Sequence, residues 1–350
     1  MLKIERNLSP LKYDLMKPSV AIVLINTGSP NAPTAPAVKT YLEEFLSDTR
    51  VVELPRWKWW PILHGIILTT RPAKSAERYQ IVWTPEGSPL ILHSQAIVDR
   101  VAERLADLPV KVYSAMCYGS PSMASVMKEI ADAGIKKVLC LPMFAQYSSH
   151  TSASCVEGIF KACMTMRDVP ALRTVYDFCH EPLYIEGLKR HIEAYWAEKG
   201  SAVAQGGKLL FSFHGIPQSS IEKGDRYQED CVETAERVAA ALQLPREAWE
   251  MSFQSRFGRD PWIQPYTTDK VVELAQAGVK RIDVICPGFA ADCLETIEEI
   301  NDDLRRTYLA ALPEEDRVDE AFHYIPAMNA SPEAIDLYEA ILRRELQGWV

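Results

Sequence analysis

The sequence predicts an α/β protein of two open parallel-sheet domains, related by internal duplication, with a cleft between them. Two observations carry this prediction. Short apolar runs rich in β-branched residues alternate with amphipathic stretches of helical period, the pattern of strand–helix–strand units. The segment AGIKKVLCLPMFA (133–145) returns as AGVKRIDVICPGFA (277–290) with one extra residue, each time after a helical pattern, as a diverged duplication would leave it.

In chain order, residues 1–18 mix charged and apolar side chains without the apolar core of a secretory leader, and are assigned as an extension. The first domain, 19–167, carries the strands SVAIVLINTG (19–28), VKVYSAMCYG (110–119) and KKVLCLPMFA (136–145), with an apolar lip at 51–70. The second, 168–329, carries LRTVYDF (172–178), KLLFSFHG (208–215), WEMSFQSR (249–256), RIDVICPGFA (281–290) and AFHYIPAMN (321–329). Residues 330–350 read as a terminal helix.

Composition narrows the partners. A chain of 350 residues with 47% hydrophobic side chains folds as a globule, and a net charge of -9 offers no basic footprint for nucleic acid. The apolar stretch WWPILHGIILTT (59–70) is interrupted by Pro61, His64 and Gly65, so it does not span a membrane. The eight cysteines form no C-x-x-C pair and sit largely in apolar runs, as reduced, cytoplasmic thiols do.

Ligands of open α/β sheets bind beyond the carboxyl ends of the strands. Four such ends carry special residues: NTGSP, FAQYSSHTSAS, FHGIP and GFAADCLETIEE. If DCLETIEE opens an α-helix, Asp292, Glu295 and Glu299 share one face and Glu298 turns away. Acids at a helix start ordinarily complement its dipole, and a histidine at a strand end, such as His214, is ordinarily structural. Brought together, imidazole and carboxylates suit a divalent first-row metal or a proton relay. Trp262 and Tyr266, after the strand end Gln254–Ser255–Arg256, offer walls for a flat apolar ligand. Trp57, Trp59 and Trp60 are too crowded for one buried helix face and suggest a lip over a pocket, a lipid contact or a partner surface.

The segments LINTGSP, YLEEFLSD, RVVELPR, YGSPS, SFHGIPQ, FQSRFGRDPW, CPGFAADCLETIEE and YIPAMNASPE together resemble the ferrochelatases of proteobacteria over nearly the whole chain. That resemblance implies two Rossmann-like domains of the chelatase kind and insertion of Fe2+ into protoporphyrin IX, the last step of haem synthesis. It implies His214 and Glu295 as the catalytic and metal-site pair, and Asp292 and Glu299 as an acidic path. Tyr118, Trp262 and Phe289 fall at porphyrin-contacting positions, and Arg71, Tyr79 and Ser88 in the segment near the propionates. Fe2+ is then a substrate, and no tightly bound cofactor is expected. Ser149 stands where some relatives place a cluster cysteine, and no cysteine follows Cys293, so no iron–sulfur cluster is expected. Cys293 has no assigned role. Chelation of coproporphyrin or another tetrapyrrole, or non-catalytic haem or metal carriage, are the alternatives. The expected location is cytoplasmic, with peripheral contact to the inner membrane through the three lip tryptophans.

Overall fold

A computed structural model of the chain describes residues 17–258 and 260–350. Apart from Lys17 and Pro18, the extension expected at 1–18 lies outside the described residues. The first half runs β1 (Val20–Asn26), α1 (Ala35–Ser47), α2 (Arg56–Ile62), a π-helical turn (Leu63–Ile67), α3 (Leu68–Val82), α4 (Pro89–Arg104), β2 (Val110–Met116), α5 (Met123–Asp132), β3 (Lys137–Pro142), α6 (Ser152–Met164) and β4 (Ala171–Thr174). The second runs α7 (Pro182–Lys199), β5 (Lys208–His214), α8 (Gln218–Glu222), α9 (Tyr227–Ala241), β6 (Trp249–Gln254), α10 (Thr267–Gln276), β7 (Ile282–Ile285), a π-helical segment (Glu295–Leu304), α11 (Arg305–Ala311), β8 (Phe322–Ile325) and α12 (Pro332–Glu345).

Each half builds a four-stranded, wholly parallel sheet, ordered β2-β1-β3-β4 and β6-β5-β7-β8. The second order is the first with four added to every label, so the repeat seen in the sequence is also a repeat of topology. Parallel strands are buried on both faces and read as unbroken apolar runs. In β1, whose seven residues are all buried, alternate side chains serve different cores. Ala21, Val23 and Ile25 pack with Met127 and Ile130 of α5 and Ile159 of α6. Val20, Ile22 and Leu24 join a core that also holds Leu209, Phe211 and Phe213 of β5. The two sheets thus share apolar packing, through α4, α7, α9 and α12. Each buried Val, Leu, Ile, Met or Phe among these contributes about 1.5–3 kcal/mol.

One expectation about domain limits changes, and the terminal helix is found where expected. The strand near 172 pairs with the first sheet, Leu172 opposite Val138, so that sheet extends beyond 167 to Thr174. The boundary at 167 came from the order of elements, whereas sheet membership is set by pairing. The terminal helix, α12, packs into the body of the protein. Ser331 caps α12 by accepting a hydrogen bond from the Ala334 N–H, and its apolar face (Ile335, Tyr338, Ile341, Leu342) lies in the shared core. Arg104 of α4 binds Asp336 and Glu339 on its outer side.

Candidate active site

His214 is the last residue of β5, the inner strand between β6 and β7, and lies opposite Gln254 in register. Its Nδ1 is 2.6 Å from the Gly215 carbonyl oxygen. A carbonyl only accepts, so Nδ1 carries the proton and Nε2 is left with a free lone pair. Glycine at 215 is a packing requirement. A Cβ there would stand 2.9 Å from the Gln254 carbonyl oxygen and 3.1 Å from the Trp262 ring. The Trp262 and Phe289 rings each have their centroids 6.4 Å from that of His214.

Gln254, buried at the end of β6, ties the neighbouring strand ends together. Its amide donates to the Glu295 carbonyl at 3.1 Å, and its side-chain oxygen accepts from Ser212 at 2.8 Å. The next residue, Ser255, adopts φ 63°, a left-handed conformation uncommon outside glycine. This turn directs both its N–H and its hydroxyl at Glu299, at 2.7 Å each. Burial raises the Glu299 carboxyl above its ordinary value; the Ser255 hydrogen bonds and His214 oppose the shift, and Glu295 adds to it. His214, Glu295 and Glu299 therefore form one electrostatic group.

The acids stand on a π-helix rather than an α-helix, and this sorts them. With i→i+5 hydrogen bonding the turn is wider, residues four apart stay adjacent, and a residue three along is carried round the axis. Glu298 turns to α3, where the Arg78 guanidinium donates to its buried carboxylate from Nε at 2.8 Å. It is an anchor between the two halves rather than a bystander. Asp292 precedes the helix and does not extend the stripe. Its Oδ1 accepts from the Tyr324 hydroxyl at 2.6 Å, Thr296 at 3.0 Å and the Ala327 N–H at 3.2 Å, and its Oδ2 accepts from Asn329 at 2.7 Å. Asn329 holds φ 49° and returns a bond from its own side-chain oxygen, which accepts from the Asp292 N–H. The buried carboxylate is thereby fully engaged in joining the loop after β7 to the loop after β8.

The remaining expected residues are dispersed. The Tyr118 hydroxyl donates to Asp48 at 2.8 Å, and its ring packs edge-on against Phe45 at 5.1 Å. Gly28, at φ +104°, passes so close behind Tyr118 that a Cβ would lie 1.8 Å from its carbonyl oxygen. Tyr79 is buried with Val38, Ala76 and Val82, and Ser88 is buried at the start of α4. The Arg71 guanidinium lies 3.9 Å from the centre of the Phe257 ring, joining the lip segment to the loop after β6. Cys293 is a packing residue, buried with Leu90, Ala291 and Phe289. A small cavity of about 120 Å³ at the ends of the first sheet, lined by Ser29, Tyr41, Glu44 and Gly119, holds none of His214, Glu295 and Glu299.

The lip is divided. Trp57 and Trp60 are 74% and 41% exposed, with Ile66 at 57%. Trp59 is instead withdrawn against Leu46, Leu63 and Leu68, its indole N–H donating to the Leu46 carbonyl at 2.7 Å. No helix among the described residues is long and apolar enough to cross a membrane.

Two like-ordered parallel sheets, with imidazole and carboxylates at the strand ends of one, define an α/β protein of the chelatase fold. Two solved structures share that architecture. SirB from Bacillus subtilis with Fe3+ matches with a TM-score of 0.54 at 10% identity, covering 93% of this chain and 95% of that one. The sirohydrochlorin chelatase SirB from Bacillus subtilis subspecies spizizenii, in complex with cobalt, gives 0.55 at 8% identity, covering 94% and 96%. The chain belongs to the ferrochelatase family, whose sequence model matches residues 19–346. Among curated relatives, ferrochelatase of Marinobacter nauticus is 44% identical, over 94% of this chain and 87% of that one. Ferrochelatase of Neisseria gonorrhoeae is 42% identical, over 94% of each.

Proposed function

We propose that the chain inserts Fe2+ into protoporphyrin IX to give protohaem, with release of two protons, as the last step of haem synthesis. The observation that carries this reading is the Nε2 of His214, freed by the Nδ1 bond to Gly215, on a ring that interacts electrostatically with Glu299, as does Glu295. Metal insertion has two demands: a base for the pyrrole protons, and donors that take up a hydrated cation without retaining it. A neutral imidazole meets the first, and mixed histidine and carboxylate ligation meets the second better than a closed thiolate site. In this mechanism His214 accepts a pyrrole proton or binds iron transiently, and Glu295 is the second ligand or base. Glu299, kept in place by Ser255, passes protons outward. Asp292, with both oxygens engaged, holds the frame, so the acidic path is assigned to Glu295 and Glu299. Trp262 and Phe289 hold the macrocycle bent, exposing nitrogen lone pairs that a flat ring keeps in its plane. Fe2+ is a substrate in this account, and no iron–sulfur cluster or other resident cofactor takes part.

Anaerobic incubation with excess Fe2+ and either protoporphyrin IX or coproporphyrin III, followed by the haem spectrum, tests the reading. Many turnovers with a higher kcat/KM for protoporphyrin are expected. Preference for coproporphyrin would overturn the substrate assignment, and haem never exceeding one per chain would favour a carrier.

The exposed half of the lip supports a peripheral membrane contact made by Trp57 and Trp60 with Ile66, aromatic rings at headgroup level and no spanning segment. Sedimentation with anionic phospholipid vesicles is expected to fall about tenfold in the Trp57→Ser, Trp60→Ser double variant, roughly the transfer free energy of one tryptophan. Unchanged sedimentation would remove the membrane contact.

A further inference from the structure

A second group of metal-capable side chains lies where the loop after β4 meets the start of α9. Asp177, Cys179 and His180 each offer one donor atom, and these three atoms lie within 4.8 Å of one another. From α9, Glu233 Oε1 lies 3.2 Å from His180 Nδ1, and Asp230 Oδ1 lies 3.7 Å from His180 Nε2. The donors thus come from two separate segments, a loop closing the first sheet and a helix of the second half.

Asp230 is the informative member. It is 4% exposed, and among the described residues its carboxylate accepts no hydrogen bond; the nearest cationic nitrogen besides His180 is Arg226 NH2, at 3.8 Å. A carboxylate so far withdrawn, held only by long ion pairs to His180 and Arg226, is costly, and its surroundings add to the cost. Burial pushes the Cys179 thiol up to about 12, with further contributions from Asp230, Asp177 and Glu233. Burial raises the Asp177 and Asp230 carboxyls too. A cation among these groups would offset all three penalties at once. Arg226, largely exposed on its outer side, reaches Asp230 only at the limit of an ion pair.

We propose that Asp177, Cys179 and His180, with Asp230 behind the His180 ring, form a second divalent-metal site, separate from the His214 centre, that takes a borderline first-row cation such as Zn2+ or Co2+. One thiolate, one imidazole and one carboxylate, with water in the fourth position, form a four-coordinate set for such ions, and Asp230 orients the imidazole from behind; Mg2+ and Ca2+ favour oxygen ligands alone. On binding, Cys179 releases its thiol proton to solvent as the metal–sulfur bond forms, with no change of oxidation state. The bound ion would clamp the loop after β4 to α9. This is a structural role, independent of the iron that is turned over.

Co2+ alone, titrated anaerobically into the full-length, metal-free chain under a non-thiol reductant, is the probe. The wild type is expected to develop a thiolate-to-cobalt charge-transfer band saturating at one equivalent of thiolate-bound metal. His214→Ala and Cys293→Ser should keep that band and Cys179→Ser should lose it. Asp230→Asn and His180→Ala should weaken Co2+ binding by about tenfold or more, since even outer partners of metal ligands are worth that much. If Cys179→Ser does not fold, as judged by circular dichroism, Asp230→Asn and His180→Ala decide on affinity. No band in the wild type, a band retained by Cys179→Ser, or a band lost in His214→Ala would overturn the proposal.

Discussion

Replacing His214 with alanine is expected to lower kcat for haem formation by about 10²–10⁴-fold, the usual contribution of a positioned acid–base group, while porphyrin binding stays within a few-fold of wild type. The geometry accounts for both halves of this result. The Nδ1 bond to Gly215 fixes the ring and its tautomer, so the lone pair lost is the one proposed above to meet the reacting nitrogens or iron. The Trp262 and Phe289 rings, proposed above to hold the porphyrin, belong to other segments, and Trp262 rests on the backbone of Gly215 rather than on the imidazole. Fluorescence quenching by protoporphyrin, run beside the turnover assay, separates the two effects.

Asp292→Ala is expected to destabilise the fold by about 3 kcal/mol or more. Tyr324, Ala327 and Asn329 each lose a buried acceptor, and an unsatisfied buried donor costs about 1–3 kcal/mol. The shift of the urea midpoint, with iron insertion measured well below it, checks this. A midpoint within about 0.5 kcal/mol of wild type, accompanied by lost turnover, would return Asp292 to the acidic path.

Much of the fold was legible because its signals are local. All eight runs hold a strand, clearest in β1, which is buried throughout and apolar but for Asn26, whereas the edge strand β4 (ALRT) has no buried residue and is the shortest match to its run. His214 and the acids of GFAADCLETIEE could be found because they follow two such runs, where ligands of parallel sheets gather. The departures have non-local causes. Spacings of three, four and seven among Asp292, Glu295 and Glu299 imply an α-helix starting at Asp292, but the Asp292 carboxylate is captured by Tyr324, Ala327 and Asn329, and the helix that follows is π-wound. Glu298 takes its partner from Arg78, and nothing near either residue in the sequence announces the pair. Trp59 reads like its neighbours Trp57 and Trp60, yet helical rotation turns it inward. Ser255 was visible only as a polar residue at a strand end. Its role depends on a positive φ, and the one available signal was its place at the end of an apolar strand, before a glycine-containing loop.

The central claim is that the unencumbered imidazole nitrogen of His214 is the group on which metal insertion depends. The most direct measurement is kcat of His214→Ala at saturating protoporphyrin and Fe2+, without and with added imidazole. The structure predicts turnover reduced by about 10²-fold or more without imidazole and partly restored, in a saturable manner, with it. Near-wild-type turnover without imidazole would contradict it.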